Sequence, residues 1–238
     1  MADRFFLKQG TNYCCKLPVR EEDPIVLLSG PPSSGKTSLL FQFAFNSAAE
    51  GNGAVVILCN KRRLERNPPF LSQGVDPSSE VFRRIRMKYV DDDEGIKNYF
   101  AAFHLHDEMP QLVIVDDFVQ LHDDKKCQER HNNPRRRDMS MARVLALCRD
   151  AIDHANKRGP CQILLSDTHK GDSPRLLYIF KRWVSSIYTI IKGAEEFGSY
   201  ILSRQYPEDD DVNMGSAKYS IALQYLALEG KAKASGSV

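Results

Sequence analysis

The sequence predicts an α/β chain: a three-layer core on a mostly parallel sheet, with an antiparallel extension toward its C-terminal end. Three observations carry this expectation. Four short runs, Ile25–Leu28, Ala54–Cys59, Gln111–Val115 and Gln162–Leu165, are dominated by apolar residues on both faces, as strands buried inside a parallel sheet must be. Stretches of helical periodicity separate them. Beyond residue 183 the strand-like stretches follow one another with no long helix between, which predicts antiparallel pairing.

Taken in order, residues 1–24 read as a polar N-terminal lead-in that ends at the break Glu21-Glu22-Asp23-Pro24. Its short apolar patch, Phe5-Phe6-Leu7, is a candidate protein contact. The first buried strand ends in Ser29-Gly30. Residues 36–49 repeat apolar positions at Leu39, Leu40, Phe43, Ala44 and Ala48, a helical period that Gly51 and Gly53 terminate. After the second strand, Ile85–Val90 alternates Ile85, Met87 and Tyr89 with Arg86 and Lys88, as in a half-exposed strand. Glu94–His106 predicts a helix. Residues 122–138 are so highly charged that an exposed loop is expected, and Met139–Lys157 predicts a second long helix with Met141, Val144, Leu145, Cys148 and Ile152 on one face. Trp183–Ile191, Ser199–Arg204 and Tyr219–Leu228 read as strands, broken by turn-rich or acidic segments such as Glu208–Asp211. Residues 25–229 are therefore expected to form one domain, and 230–238, small and basic, a flexible tail.

Composition narrows the function classes. Of 238 residues 42% are hydrophobic, which excludes wholesale disorder. Basic and acidic residues number 33 and 31, so a nucleic-acid partner has to be argued from local charge. No apolar run is long enough for a bilayer and none has the form of a signal-peptide core, so an intracellular protein without a membrane partner is expected. The six cysteines are scattered and form no CxxC pair, which predicts free thiols, with Cys59, Cys148 and Cys161 as small core residues. His104, His106, His122 and His131 read as surface histidines.

The most specific motif is Gly30-Pro31-Pro32-Ser33-Ser34-Gly35-Lys36-Thr37, followed by Ser38. It matches G-x-x-x-x-G-K-[ST], with a buried strand before it and an amphipathic helix after. A loop that wraps phosphate oxygens with successive backbone N–H groups needs glycine where a side chain would intrude. The following helix adds the partial positive charge of its N-terminus. These residues predict ATP and Mg2+ as cofactors, with Lys36 reaching the β- and γ-phosphates and the Thr37 hydroxyl on the metal. The second half of such a site is an acid at the end of another buried strand, here Asp116, which would hold the magnesium shell. Asp117 has two readings: it orients or activates an attacking water, or it caps the strand for the next turn.

These residues resemble the RecA/Rad51 superfamily, and more closely a Rad51-paralogue-like ATPase that associates with a SWIM-domain protein. The resemblance rests on Gly30–Thr37 continuing as Ser38-Leu39-Leu40-Phe41, on Arg84-Ile85-Arg86-Met87-Lys88-Tyr89 and on Leu112–Asp117, in order over residues 25–190. It implies a RecA-like fold and a nuclear accessory factor of homologous recombination. That factor would bind single-stranded DNA and support a Rad51-type recombinase together with a zinc-binding SWIM-domain partner. One departure stands out. Recombinases of this superfamily place a catalytic glutamate just after the second strand, whereas this chain reads Asn60-Lys61-Arg62-Arg63-Leu64-Glu65. Low intrinsic hydrolysis is therefore expected.

Three basic clusters are candidates for phosphate contact: Lys61-Arg62-Arg63 with Arg66, Arg83-Arg84 with Arg86 and Lys88, and Lys125-Lys126 with Arg135-Arg136-Arg137. The third follows Asp116 and is the candidate DNA surface. Asp123, Asp124, Glu129 and Asp138 interleave with it, so a merely solvated loop is the competing reading. At the level of the whole chain two further readings stay open: a P-loop kinase for a small substrate with Arg135–Arg137 as a phosphate clamp, and a nucleotide-stabilised adaptor without catalysis.

Overall fold

Strands that are apolar on both faces need a covering layer on each side, and the computed structural model supplies both. It describes residues 2–7, 24–123, 127, 129, 133–171, 176–193, 198–206 and 216–232. The strands are β1 (Ile25–Gly30), β2 (Val55–Cys59), β3 (Ile85–Tyr89), β4 (Leu112–Val115), β5 (Gln162–Thr168), β6 (Ser186–Lys192), β7 (Ser199–Tyr206), β8 (Ser216–Ala222) and β9 (Tyr225–Ala232). They join in one nine-stranded sheet of order β3-β2-β4-β5-β1-β6-β7-β8-β9. Pairing is parallel from β3 through to β6 and antiparallel from β6 to β9. The predicted three-layer α/β class with an antiparallel extension is therefore what forms.

The helices are α1 (Lys36–Glu50), α2 (Lys61–Arg66), α3 (Asp93–Ala101), α4 (Phe118–His122), α5 (Pro134–Ala155) and α6 (Leu177–Trp183). On one face of the sheet α1 lays Leu39, Leu40, Phe43 and Ala44 against Val26, Leu28, Ile57 and Ile114. On the other, α3, α5 and α6 cover Ile25, Leu27, Val113 and Leu165 with Phe100, Leu145, Cys148 and Phe180. Each fully buried Leu or Phe side chain stabilises the fold by roughly 1.5–3 kcal/mol before entropy is counted. β3 lies at the sheet edge. Its Arg86 and Lys88 are exposed, and such charges discourage a further strand from pairing there.

Several segments depart from the sequence expectation. The expected loop 122–138 ends earlier, because α5 begins at Pro134. Asn133 caps it, its side-chain oxygen accepting from the Arg135 amide at 2.9 Å, and proline at the first helical position costs no hydrogen bond. Charge composition hid that start signal. The expected helix Glu94–His106 stops at Ala101 and tightens into a 3-10 turn at Phe103–Leu105. The expected strand Trp183–Ile191 begins only at Ser186, because Leu177–Trp183 is helical, and it pairs parallel with β1. Tyr219–Leu228 is two strands, reversing at Leu223-Gln224, where both residues have positive φ (51° and 64°). Such hairpin turns favour Asn and Gly, so Leu-Gln gave no turn signal. β9 runs on to Ala232, into the stretch expected to be a tail; residues 233–238 lie outside the described residues.

The N-terminal patch turns inward. Phe5 and Phe6 are buried; the Phe5 ring lies 4.9 Å from Phe43 and 5.8 Å from Tyr188, and the Phe6 ring 5.6 Å from Tyr219. Asn46 Nδ2 donates to the carbonyls of Arg4 and Phe6, at 2.8 and 2.9 Å. His122, expected at the surface, is also buried; its Nδ1 sits 2.9 Å from the Phe118 carbonyl one helical turn back, and its ring packs on Phe118.

Cys59, Cys148 and Cys161 are free, buried thiols as expected. Burial pushes Cys59 and Cys161 up to about 12, and Cys148 higher still. All three stay protonated at pH 8, and the thiol form is a poor nucleophile. Iodoacetamide at pH 8 is expected to spare them in the native protein and to label them in denaturant, read by peptide mass spectrometry. Ready labelling of the native chain at these positions would show that the core around them opens.

Candidate nucleotide-binding site

The parallel strands bring their C-terminal ends to one edge of the sheet, the edge where α/β folds place ligands. β1 delivers Gly30–Thr37 there. Ser33 and Gly35 both adopt left-handed backbone (φ 60° and 75°), which curls the loop before α1 begins at Lys36. Glycine is required twice for space. A Cβ on Gly30 would come within 2.8 Å of the Ile190 Cβ, and one on Gly35 would run into the Ile221 side chain.

Lys36 folds back over the loop. Its Nζ donates to the carbonyls of Pro31 at 2.7 Å and Gly30 at 3.2 Å, across the space that phosphate oxygens would fill. Burial pulls its ammonium below the usual lysine range, and Asp117, Asp116 and Asp167 pull it back. The Thr37 Oγ1 donates to Asp116 Oδ2 at 2.9 Å, joining the loop to the end of β4. The other Asp116 oxygen accepts from Ser166 Oγ at 2.8 Å. Asp116 is pushed up to about 6, chiefly by burial and then by the charge of Asp117, against the hydrogen bonds from Ser166 and Thr37. A divalent cation beside it would restore the carboxylate. Hydroxyl and carboxylate oxygens are the donors that magnesium takes, so Thr37 and Asp116 fit that ion.

Asp117 has left-handed backbone (φ 55°), tolerated by aspartate, and this turns the chain sharply out of β4. Its amide donates to Ser166 Oγ at 2.8 Å, and its Oδ1 accepts from Thr168 Oγ1 at 2.9 Å. Its other oxygen faces Arg63 Nη1 at 3.5 Å. The loop is also propped from the antiparallel extension: Tyr219 Oη donates to the Ser34 carbonyl at 2.7 Å and Tyr200 Oη to the Ser33 carbonyl at 3.0 Å.

Over 140 residues, 58% of this chain, the sequence is 31% identical to human ATPase SWSAP1. The chain resembles the SWSAP1 ATPases. The mouse protein of that name matches at 31% over 108 residues, 44% of the chain. The matched stretches span 55% of the human protein and 38% of the mouse one, about half the length of these relatives or less. Among solved structures, a KaiC-like protein from the archaeon Pyrococcus horikoshii superposes with a TM-score of 0.61 at 14% identity, covering 86% of this chain and 88% of that one. These matches bear out the expected resemblance to Rad51-paralogue-like ATPases and the RecA-like fold. No model of a protein family matches the chain.

Lys36, Thr37, Asp116 and Asp117, chosen from motif and position, lie together at the C-terminal edge of the parallel strands. Ser38 is turned away from the loop's mouth, its Oγ accepting from the Phe70 amide at 2.9 Å. The basic candidates divide. Arg135 and Arg136 are exposed in the first turn of α5, whereas Arg137 reaches back to Asp123 at 3.2 Å. Lys125, Lys126 and His131 lie outside the described residues. Sequence reasoning missed Ser166 and Thr168, although the polar run Ser166-Asp167-Thr168-His169 closing an apolar strand was a usable signal. Arg63 was counted only as part of a basic cluster. For Tyr200 and Tyr219 no local signal existed. Among the described residues no helix is long and apolar enough to cross a membrane, and no cluster of His, Cys, Asp and Glu forms a metal site.

Proposed function

We propose that this chain is a magnesium-dependent ATP-binding subunit of low intrinsic ATPase activity that serves homologous recombination in the nucleus. It would bind single-stranded DNA and support a Rad51-type recombinase beside a SWIM-domain partner. The observation that carries the nucleotide part is the 2.9 Å contact between Thr37 and Asp116, which joins the phosphate loop to the acid of a neighbouring strand. The similarity to the SWSAP1 ATPases supports the ATPase class, and the resemblance to Rad51-paralogue-like proteins supports the pathway.

In this reading Gly30, Pro31, Pro32, Ser33, Ser34, Gly35, Lys36, Thr37 and Ser38 form the phosphate-binding segment. Lys36 gives up its two carbonyl partners for phosphate oxygens. Thr37 and Asp116 hold magnesium, which supplies charge neutralisation at the phosphates when bound. Asp117, positioned by Thr168 and Ser166, accepts the proton of an attacking water. Position 60, directly after β2, is an asparagine spent on capping α2, so Asp117 carries that role without a glutamate there. The reading is tested by measuring ATP hydrolysis of the purified chain with and without single-stranded DNA. No ATP binding in the presence of magnesium would remove it, and binding without any turnover would leave the adaptor reading.

Arginine in the first turn of a helix opposes the helix dipole by roughly 0.3–1 kcal/mol per charge, so Arg135 and Arg136 are poorly placed for stability and well placed for phosphate. Changing both to Ala is expected to weaken single-strand binding at low salt and to lower the salt slope by about 0.7 per lost contact. Fluorescence anisotropy across a salt series measures this. Unchanged affinity and slope would show these arginines to be solvated only.

A further inference from the structure

We propose that Arg63 reads the terminal phosphate of a bound nucleoside triphosphate, exchanging its partner Asp117 for that phosphate. The proposal rests on the nucleotide-site reading above and adds to it the means by which triphosphate is told from diphosphate.

The basic cluster after β2 does not act as one patch. Lys61 pairs with Glu65 and lies 5.7 Å from the Tyr89 ring centroid. Arg63 alone is directed into the site. The Asn60 cap sets this direction: its side chain accepts from the Arg63 amide at 3.2 Å, and its Nδ2 donates to Asp91 Oδ1 at 3.3 Å. α2 therefore starts at a fixed angle at the end of β2, on the same sheet edge as the phosphate loop. The guanidinium reaches Asp117 at 3.5 Å, the outer limit of a hydrogen-bonded ion pair, and both side chains are partly open to solvent. Such a pair is weak and exchanges readily.

The surroundings fix what the exchange would be for. Asp117 is held firmly on its other side by Thr168, and Thr168 lies directly across the sheet from Gly30, the first residue of the loop. Asp117 is also the strongest charge acting on the Lys36 ammonium. A phosphate chain seated in the loop and ending at Lys36 brings its terminal charges toward Asp117. The terminal phosphate carries more negative charge than Asp117 and competes with it for the nearest guanidinium. Arg63 carries that guanidinium, and its planar fork matches phosphate oxygens in a way a lysine does not. A diphosphate stops short and leaves the Arg63–Asp117 pair in place. With triphosphate bound, Asp117 loses its cationic partner and keeps Thr168.

The test uses the full chain with Arg63→Ala and Arg63→Gln, the second keeping most of the stem. Calorimetry with magnesium measures the affinity for a non-hydrolysable ATP analogue and for ADP. Wild type is expected to prefer the analogue. Both variants are expected to lose roughly 10- to 100-fold for the analogue, the scale of a charge-assisted contact, and to stay within about 2-fold for ADP. Arg63→Lys should recover part of the loss. Equal changes for both nucleotides, or none, would overturn the role of Arg63 while leaving the nucleotide site intact. Wild type that binds neither nucleotide would overturn the site reading and this proposal together.

Discussion

Replacing Lys36 with alanine is expected to abolish measurable nucleotide binding. Its ammonium is the buried cation of the loop, and it already bridges the two carbonyls between which phosphate oxygens would sit. Losing a charge-assisted contact to a phosphate in such a place costs on the order of 3 kcal/mol, or about 100-fold in affinity. The loop itself should survive. The Gly30 carbonyl still accepts from the His169 amide at 3.2 Å, and the Pro31 carbonyl from Ser34 Oγ at 2.8 Å. A folded Lys36→Ala protein that binds ATP as tightly as wild type, by calorimetry with magnesium, would sink the site assignment.

The largest effect on stability is expected from Phe5→Ala. The ring is fully buried between Phe43 and Tyr188, so truncation leaves a cavity on the α1 face of the sheet. Phe→Ala at such a site costs about 3–5 kcal/mol. In a chain of this size each kcal/mol shifts the melting midpoint by roughly 2–4 °C, so a drop of about 10 °C is expected by calorimetric scanning. Leu105→Ala serves as the control, because Leu105 is exposed and its removal should change stability by no more than about 0.5 kcal/mol. Equal melting temperatures for the two variants would show that the N-terminal segment adds nothing to the core.

What could be read from the sequence follows the range of the forces involved. The loop Gly30–Thr37, the buried strands and α1 were legible because local pattern decides them: an apolar run on both faces, two glycines where space is missing, a 3.6-residue period. Asp116 was legible because it ends such a run. The burial of Phe5 and Phe6 was not, since three apolar residues in a polar stretch look alike whether they meet Tyr188 and Tyr219 or solvent. Arg63 was legible only as one member of a basic cluster, for a related reason. A count of basic residues carries no direction, and only the Asn60 cap decides which arginine turns inward. The Leu223-Gln224 reversal escaped because its residues are not those that positive φ usually selects.

The tie between Tyr219 and the Ser34 carbonyl spans 185 residues of sequence. In biosynthesis Gly30–Thr37 leaves the ribosome before β7 and β8, and its support is made only once they have followed. A nascent chain carrying every residue of Gly30–Thr37 thus still lacks the tyrosines that brace the loop. Contacts so distant in sequence also form slowly. The loop comes first in the sequence, and the tyrosines that brace it come from the antiparallel extension.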